Sequence, residues 1–239
     1  MPLLSDRLRR LALIIVSVLV VLTAALSFAG RWFGEQLALG GNTTSTETFT
    51  VTIGLDRLQL AANTIRLPEA RRSGPTERAD LYLTWPDLSG YSQANAAQFK
   101  STANPGALIF LQLSQTTMSR DMSGRLDPIY RTLFEGEPVD FGAGLLLHRF
   151  KATSGYAGEV MLTSTVSGND TYAVRCILPA ADTPSTDADC QRDITIGNSL
   201  SVLYRFSSTL LPQWRMLDTA VRDYVETRLA NESPSPAAQ

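Results

Sequence analysis

The stretch EVMLTSTVSGNDTYAVRCIL, residues 159–178, places two runs of alternating apolar and polar side chains on either side of a short polar turn. Alternation of period two is typical of half-buried β-strands, and SGND is a turn signal of hairpin length. In the second run, one face would carry Tyr172, Val174, Cys176 and Leu178. The stretch therefore predicts an antiparallel hairpin with one buried face.

The same alternation extends outward in both directions from this hairpin. LLLHRF (145–150) precedes it, and RDITIGNSLSVLYRF (192–206) follows as a second hairpin that turns at Gly197 and Asn198. Nearer the N-terminus, FTVTI (49–53) and DLYLTW (80–85) alternate as well, whereas ALIFLQL (107–113) is a continuous apolar run, compatible with a strand buried on both faces. The pattern predicts one antiparallel sheet.

Two segments have helical signals instead. LPQWRMLDTAVRDYVETRL (211–229) opens on Pro212 and places its apolar residues on one helical stripe: Trp214, Leu217, Val221, Tyr224 and Val225. LDPIYRTLFEG (126–136) has Asp127 as a helix cap and Pro128 at the first helical position. We therefore expect an α+β domain over residues 48–230, with a C-terminal amphipathic helix packed on the sheet.

The N-terminus carries a run of 19 uncharged residues, LALIIVSVLVVLTAALSFA (11–29). Such a run is long enough to cross a hydrocarbon core of about 30 Å, and the arginines before it would keep the N-terminus in the cytoplasm. The predicted organisation is a cytoplasmic tail (1–10), a transmembrane helix (11–30), a linker (31–47), the extracytoplasmic domain (48–230) and a disordered tail (231–239). The alternative is a cleaved signal peptide, since Ser27-Phe28-Ala29 is a small-x-small cleavage site.

The cysteine and histidine counts restrict the chemistry of the exported domain. Cys176 and Cys190 are the only cysteines, and in an oxidising compartment they are expected to form one disulfide, worth about 3 kcal/mol by loop closure. His148 is the only histidine, so the sequence offers no metal site and no cofactor motif. With 21 basic and 23 acidic residues, the chain also lacks the basic excess that nucleic-acid binding needs.

One enzyme hypothesis can be built from the sequence. GYSQA (90–94) is close to the G-x-S-x-G motif, with Ser92 as nucleophile and His148 as base, and with Asp127 or Asp140 between them in chain order. The motif needs a buried strand that runs directly into its first glycine, but PDLS intervenes and Ala94 replaces the last glycine. A serine hydrolase is therefore an alternative, and no catalytic residue is assigned.

The region from residue 66 to residue 92 contains the candidate binding surface. DLYLTWPDLSGYS (80–92) is predicted to be the end of a strand, because Leu81, Leu83 and Trp85 share one face and Pro86-Asp87 turns the chain. Its tyrosines and the preceding charged loop could shape a carbohydrate- or peptide-binding surface. The residues are Arg71, Arg72, Tyr82 and Tyr91.

The arginine-rich start, the single apolar span and the segments IRLPEARRSG, DLYLTWPDLSGYS and LSVLYRF give a resemblance. The chain resembles single-pass, membrane-anchored periplasmic proteins of Gram-negative bacteria whose motifs have no assigned chemistry. This resemblance implies an inner-membrane location with the domain in the periplasm. The expected function is a tethered, non-catalytic binding or assembly module whose partners are the membrane and other envelope proteins.

Overall fold

The computed structural model describes residues 10, 13–23, 26–27, 40–101, 103–165 and 171–230 of the 239-residue chain. Contacts divide the chain into two units, Met1–Asn42 and Thr43–Gln239. In the first unit, residues 13–23 are helical. The second unit contains the β-sheets and every feature analysed below.

The described residues of the second unit form eleven strands and few helices. The strands are β1 (Thr48–Ile53), β2 (Asp56–Ala61), β3 (Gly74–Pro75), β4 (Arg78–Thr84), β5 (Leu108–Gln115), β6 (Phe134–Gly142), β7 (Leu145–Phe150), β8 (Val160–Thr165), β9 (Thr171–Cys176), β10 (Cys190–Ile196) and β11 (Leu200–Phe206). The helices are Ala96–Lys100 and the C-terminal helix Trp214–Glu226, together with 3-10 turns at Ala62–Thr64, Pro68–Ala70, Tyr130–Leu133 and Ser208–Gln213.

The strands form two sheets. Eight of them make an antiparallel sheet in the order β4-β5-β11-β10-β9-β8-β7-β6, and the other three make a small sheet in the order β2-β1-β3. Alternate residues of the long strands are buried, so the large sheet has an inner and an outer face. The inner face carries Leu81, Leu111, Val202 and Ile194, all of them at most 1% exposed.

The main core lies between this inner face, the β1–β2 hairpin and the C-terminal helix. The helix buries the predicted apolar stripe: Trp214, Leu217, Val221, Tyr224 and Val225. The hairpin is attached through Asp56, whose buried carboxylate accepts hydrogen bonds from the backbone N–H of Asn198 (2.8 Å) and Ser199 (2.9 Å). Gly197 permits this approach, because a Cβ there would lie 2.4 Å from Asp56 Oδ1.

A second, smaller core covers part of the outer face. Residues 122–134 and Tyr156 pack over the outward side chains of β7, β8 and β9. The buried members of this cluster are Met122, Leu126, Tyr130, Phe150, Met161 and Ala173.

The large sheet narrows between β9 and β10, which pair over only two positions, Cys190 with Cys176 and Gln191 with Arg175. The two cysteines form the expected disulfide, with their Cα atoms 4.0 Å apart. Beyond it, Arg192 donates to the carbonyl of Ala173 on β9 (2.8 Å), a group that the β9–β10 ladder does not reach. Arg192 also donates to Asp218 on the C-terminal helix (2.8 Å). We call this region the β9–β10 junction.

The expected α+β class is wrong, because the protein is mostly β-sheet with few helices. One reason is the predicted helix over 126–136. Its first half forms turns and the 3-10 segment Tyr130–Leu133, and β6 begins at Phe134. Tyr130 is buried in the second core, and Gly136 has a φ of 70°. Packing on the sheet therefore outweighs the local signals of Asp127 and Pro128.

The N-terminal transmembrane helix predicted over 11–30 is also corrected. Among the residues that the structure describes, no helix is both long enough and apolar enough to cross a membrane. Residues 1–9 of the cytoplasmic tail predicted over 1–10, the whole tail predicted over 231–239 and residues 31–39 of the linker lie outside the described residues.

The β9–β10 junction leads to a prediction about stability. The Arg192 side chain is nearly buried, so Arg192→Met would leave Asp218 without its cationic partner and the Ala173 carbonyl without a donor. Breaking a buried ion pair on one side costs about 3–5 kcal/mol, and Asp218 retains some solvent contact, so we expect a loss near 3 kcal/mol in the free energy of unfolding, measured in urea.

The matched control is Arg149→Met, at an exposed arginine on β7, which should change the free energy of unfolding by less than about 0.5 kcal/mol. Arg192→Met combined with Asp218→Leu removes both charges and should recover part of the loss. Equal unfolding midpoints for Arg192→Met and the wild type would show that the junction does not depend on this ion pair.

Candidate functional site

The second core packs on the outer face of β7, β8 and β9 and includes no side chain of β4, β5, β11 or β10. We call the outward side chains of these four strands that are at least partly exposed the open face. It comprises Arg78, Asp80, Tyr82, Phe110, Gln112, Ser114, Gln191, Asp193, Thr195, Ser201, Leu203 and Arg205. All of them are at least partly exposed.

Strand register arranges the open face in cross-strand rows. Tyr82 lies opposite Phe110, and Phe110 lies opposite Arg205. The next row runs from Asp80 through Gln112 to Leu203. Because directly opposed residues of an antiparallel pair have Cβ atoms about 5 Å apart, each row brings together side chains that are distant in sequence.

The aromatic end of the open face is a shallow cleft of about 280 Å³. The rings of Tyr82 and Phe110 meet edge to face with centroids 4.3 Å apart, and the guanidinium of Arg66 lies 4.7 Å from the centre of the Tyr82 ring. Arg66 is held there because its backbone N–H donates to the Asp80 carbonyl (2.9 Å), which adds the preceding loop to the edge of β4. Arg205 and Ala188 line the same cleft.

Some charged side chains on or beside the open face form ion pairs, and others do not. Asp80 is paired with Arg78 (2.8 Å), and Asp193 with Arg125. Within the described part of the chain, Arg66 and Arg205 form no ion pair. Burial raises the pKa of Tyr82. Arg66 opposes this increase and Asp80 and Asp187 add to it, so the hydroxyl remains a donor at neutral pH.

The open face continues from the cleft into a polar trough of about 570 Å³. Gln112 lines both, so the two concavities are contiguous. Hydrogen-bonding side chains predominate in the trough, among them Thr76, Ser114, Gln115, Ser201 and Arg125. Such a surface offers donors and acceptors over an extended length rather than at one point.

A short loop forms one rim of the cleft and is tied down at its end. Asp189 accepts hydrogen bonds from the N–H and hydroxyl of Ser208 (3.1 and 2.7 Å) and from the N–H of Thr186 (2.9 Å). Burial alone would raise the pKa of Asp189, but these hydrogen bonds lower it overall. Cys190 follows Asp189 in the chain and is bonded to Cys176. The disulfide therefore also restrains the position of Ala188, which lines the cleft.

The structure does not bring the four predicted surface residues together. Tyr82 lies on the open face, whereas Tyr91 is 3% exposed and packs its ring against Phe99. Arg71 donates twice to the Ile65 carbonyl (3.1 and 3.0 Å) and so supports the backbone of its own loop. Arg72 is exposed and lines a separate concavity.

Sequence reasoning missed Arg66, Phe110 and Arg205 as companions of Tyr82. Alternation in IFLQLS and VLYRF places Phe110 and Arg205 on the polar face of their strands. This alternation is the one sequence signal that could have indicated their exposure. The pairing of β5 with both β4 and β11 is long-range, and no local pattern indicates it.

Ser92 and His148 are not brought together either. The N–H of Ser92 donates to Asn95 Oδ1 (2.7 Å) in the turn before the helix Ala96–Lys100. His148 lies on β7, bonded to Thr163 (2.9 Å) and stacked on Phe134, and burial, then Arg131, lowers its pKa. Five strands separate β4 from β7, which is about 29 Å at about 4.8 Å per strand.

The two aspartates proposed as the acid of the hydrolase triad also interact with other residues. Asp127 pairs with Arg131, and Asp140 accepts from the N–H of Gly142 (3.0 Å). Among the residues that the structure describes, no group of three or more His, Cys, Asp or Glu side chains could hold a metal ion. The geometry does not support the Ser–His–Asp arrangement.

This separation predicts the effect of two substitutions. Ser92→Ala and His148→Ala, singly and together, should leave hydrolysis of p-nitrophenyl acetate by the purified chain indistinguishable from the wild type, because the two side chains have no common substrate position. Circular dichroism would confirm that each variant is folded. A loss of hydrolysis of tenfold or more in both single variants would revive the hydrolase alternative.

Comparisons with known proteins identify a fold and no family. No family model and no curated protein matches the chain. Among solved structures, it is similar to Smlt3025, an immunity protein of the Stenotrophomonas maltophilia type IV secretion system, with 14% identity over 80% of this chain and 96% of that one and a TM-score of 0.53. It also matches the iron-regulated outer membrane lipoprotein FrpD of Neisseria meningitidis, with 12% identity, coverage of 79% and 95%, and a TM-score of 0.46. At 14% identity, the similarity to Smlt3025 concerns the fold alone.

Proposed function

We propose that this domain is a non-catalytic binding module of the cell envelope and that a protein partner binds to its open face. The observation that carries the proposal is the uneven covering of the outer face. The chain uses residues 122–134 to cover β7, β8 and β9, yet it leaves tyrosine, phenylalanine and arginine side chains uncovered on β4, β5 and β11.

The residue types on the open face favour a protein partner. Tyrosine and arginine are enriched among the residues that contribute most to the free energy of protein association. The cleft beside Tyr82 has a volume of about 280 Å³ and continues into the trough of about 570 Å³. One side chain of a partner would occupy the cleft, and its backbone would lie along the trough.

The dimensions of the open face indicate how the partner would lie. Four strands of about seven residues give a surface of about 19 Å by 23 Å, or roughly 440 Å² in projection. A stable interface buries about 800 Å² per partner. We therefore expect the partner to contact the rims as well, including the loop that carries Ala188.

The fold comparison supports the same class of function. An immunity protein of a bacterial secretion system has a similar fold, which is compatible with a non-catalytic module that binds a partner through the open face. The proposal extends the fold similarity to function, and the open face is the part of the molecule on which it depends.

The first test replaces an aromatic residue of the open face. In Tyr82→Ala the truncated side chain is on the outer face, so the core remains intact, and loss of this aromatic anchor should weaken partner binding by about 30-fold or more. Tagged full-length chain would be cross-linked in cells, purified from the envelope fraction, and the partner quantified by mass spectrometry.

The matched control is Phe141→Ala, at an exposed aromatic residue on β6 at the far edge of the same sheet. It should leave the partner yield unchanged. A partner that is lost with Phe141→Ala and retained with Tyr82→Ala, or the absence of any partner that depends on Tyr82, would contradict the proposal.

We further propose that the domain resides outside the cytoplasm, in the periplasm of a Gram-negative cell. What supports this location is the disulfide, because such bonds persist in oxidising compartments and are rare in the cytosol. Both cysteines are buried and on opposed positions of neighbouring strands, which suits a structural bond.

Thiol labelling tests the location. Cells would be quenched in acid, and the chain then denatured and alkylated without reductant. Both thiols should resist labelling, and they should become reactive after treatment with a reductant. Two free thiols in chain taken directly from cells would contradict an extracytoplasmic location.

A further inference from the structure

The open face has an excess of positive charge at its aromatic end. Of the arginines on or beside it, Arg78 and Arg125 are neutralised by Asp80 and Asp193. Arg66 and Arg205, on opposite sides of the Tyr82–Phe110 pair, form no ion pair within the described residues. Asp80, which is paired with Arg78, lines this end, and Asp187 lies close enough to affect the pKa of Tyr82. Burial, and then Asp189, raises the pKa of Asp187.

Both arginines line the same cleft. The guanidinium of Arg66 lies 4.7 Å from the centre of the Tyr82 ring, and this cation–π contact restrains its position. Arg205 is exposed in the same cross-strand row as Tyr82 and Phe110. Arginine forms bidentate hydrogen bonds with carboxylates, which gives both affinity and orientation.

From this charge distribution we propose that the occupant of the open face is an acidic segment of the partner protein, with a carboxylate side chain seated between Arg66 and Arg205. The proposal rests on the proposed function, since it names the chemistry of the partner that binds there. The aromatic pair would contact the methylene groups of a glutamate or aspartate while the guanidinium groups hold its carboxylate.

The contiguous trough favours an extended segment over an isolated carboxylate. The distance along β4 from Tyr82 to Arg78 corresponds to about 14 Å, the length of about four residues of extended chain. Over this length the trough offers the hydroxyl and amide groups of Gln112, Ser114 and Ser201. These groups can bond to a peptide backbone whatever its side chains are, so the selectivity for charge would come from the cleft.

The test uses three fluorescein-labelled peptides, hexaglutamate, hexaglutamine and hexalysine, and the full-length chain in fluorescence polarisation. We expect hexaglutamate to bind at least tenfold more tightly than hexaglutamine and hexalysine not to bind. Raising sodium chloride from 50 to 300 mM should weaken the hexaglutamate complex several-fold, because charge attraction at an exposed site is screened.

The variants assign the binding to the cleft. Arg66→Gln and Arg205→Gln each remove the positive charge while keeping a polar side chain, and each should weaken hexaglutamate binding by about tenfold. Arg149→Gln, at an exposed arginine on β7, is the control and should change it by less than twofold. Equal affinity for hexaglutamate and hexaglutamine, no hexaglutamate binding, or full binding by Arg205→Gln would overturn the acidic-segment proposal.

The outcomes separate this inference from the proposed function. If a cellular partner is lost with Tyr82→Ala but retained with Arg205→Gln, the open face is a protein-binding surface and its ligand is not acidic. If the full-length chain self-associates between 1 and 100 µM in sedimentation, and Arg205→Gln abolishes this, the occupant is a second copy and the assignment to a different partner is overturned.

Discussion

The narrow pairing of β9 with β10 is the constraint on which the rest of the structure depends. The ladder between the two halves of the eight-stranded sheet has two residue pairs, one of them the disulfide, and one backbone hydrogen bond beyond it joins Ile177 N–H to the Asp189 carbonyl (2.8 Å). At the opposite end of this ladder the strands diverge, and the Arg192 guanidinium takes the place of the missing ladder bonds by donating to the Ala173 carbonyl and to Ser123. Its charge is balanced by Asp218, which also accepts from the Tyr204 hydroxyl (2.6 Å), so one buried network joins both halves of the sheet to the C-terminal helix. The buried charge is tolerated because Nε donates to Asp218 and Nη1 donates to Ser123 and to the Ala173 carbonyl.

This junction also determines where the outer face is covered. Ser123 bonds to Arg192, and the segment that follows it lies over β7, β8 and β9, where Leu126 and Tyr130 form the second core. On the other side of the junction, Arg125 is the last residue of that segment to reach the open face, through its pair with Asp193. The covered and uncovered halves therefore meet along β10. The open face exists because the covering segment is held at the junction and directed away from β11, β5 and β4.

The sequence predicted local features well and long-range ones poorly, for identifiable reasons. Alternation located the strands and the apolar stripe of the C-terminal helix, because side-chain periodicity is a local property. The α+β class failed because the helical signals at Asp127 and Pro128 were outweighed by burial of Tyr130 against the sheet. Tyr82 was identified but Phe110 and Arg205 were not, since strand register decides which side chains meet. The residues next to Tyr91 in the sequence are typical of an exposed turn. Its contacts with Asn63 and Phe99 nevertheless bury it.

Alternation along the strands separates the requirements of folding from those of binding. On β4, β5 and β11 the inward residues form the core, and the outward residues can change without loss of core packing. The chemistry of the open face could therefore be altered for a new partner at low cost in stability. The rim of the cleft is the exception, because Ala188 is positioned by Asp189 and by the disulfide, which also holds the β9–β10 junction. Loss of the disulfide would weaken the sheet and would also release the loop that carries Ala188, which forms one wall of the cleft. The disulfide is thus the point at which the stability of the fold and the shape of the binding surface depend on the same residues.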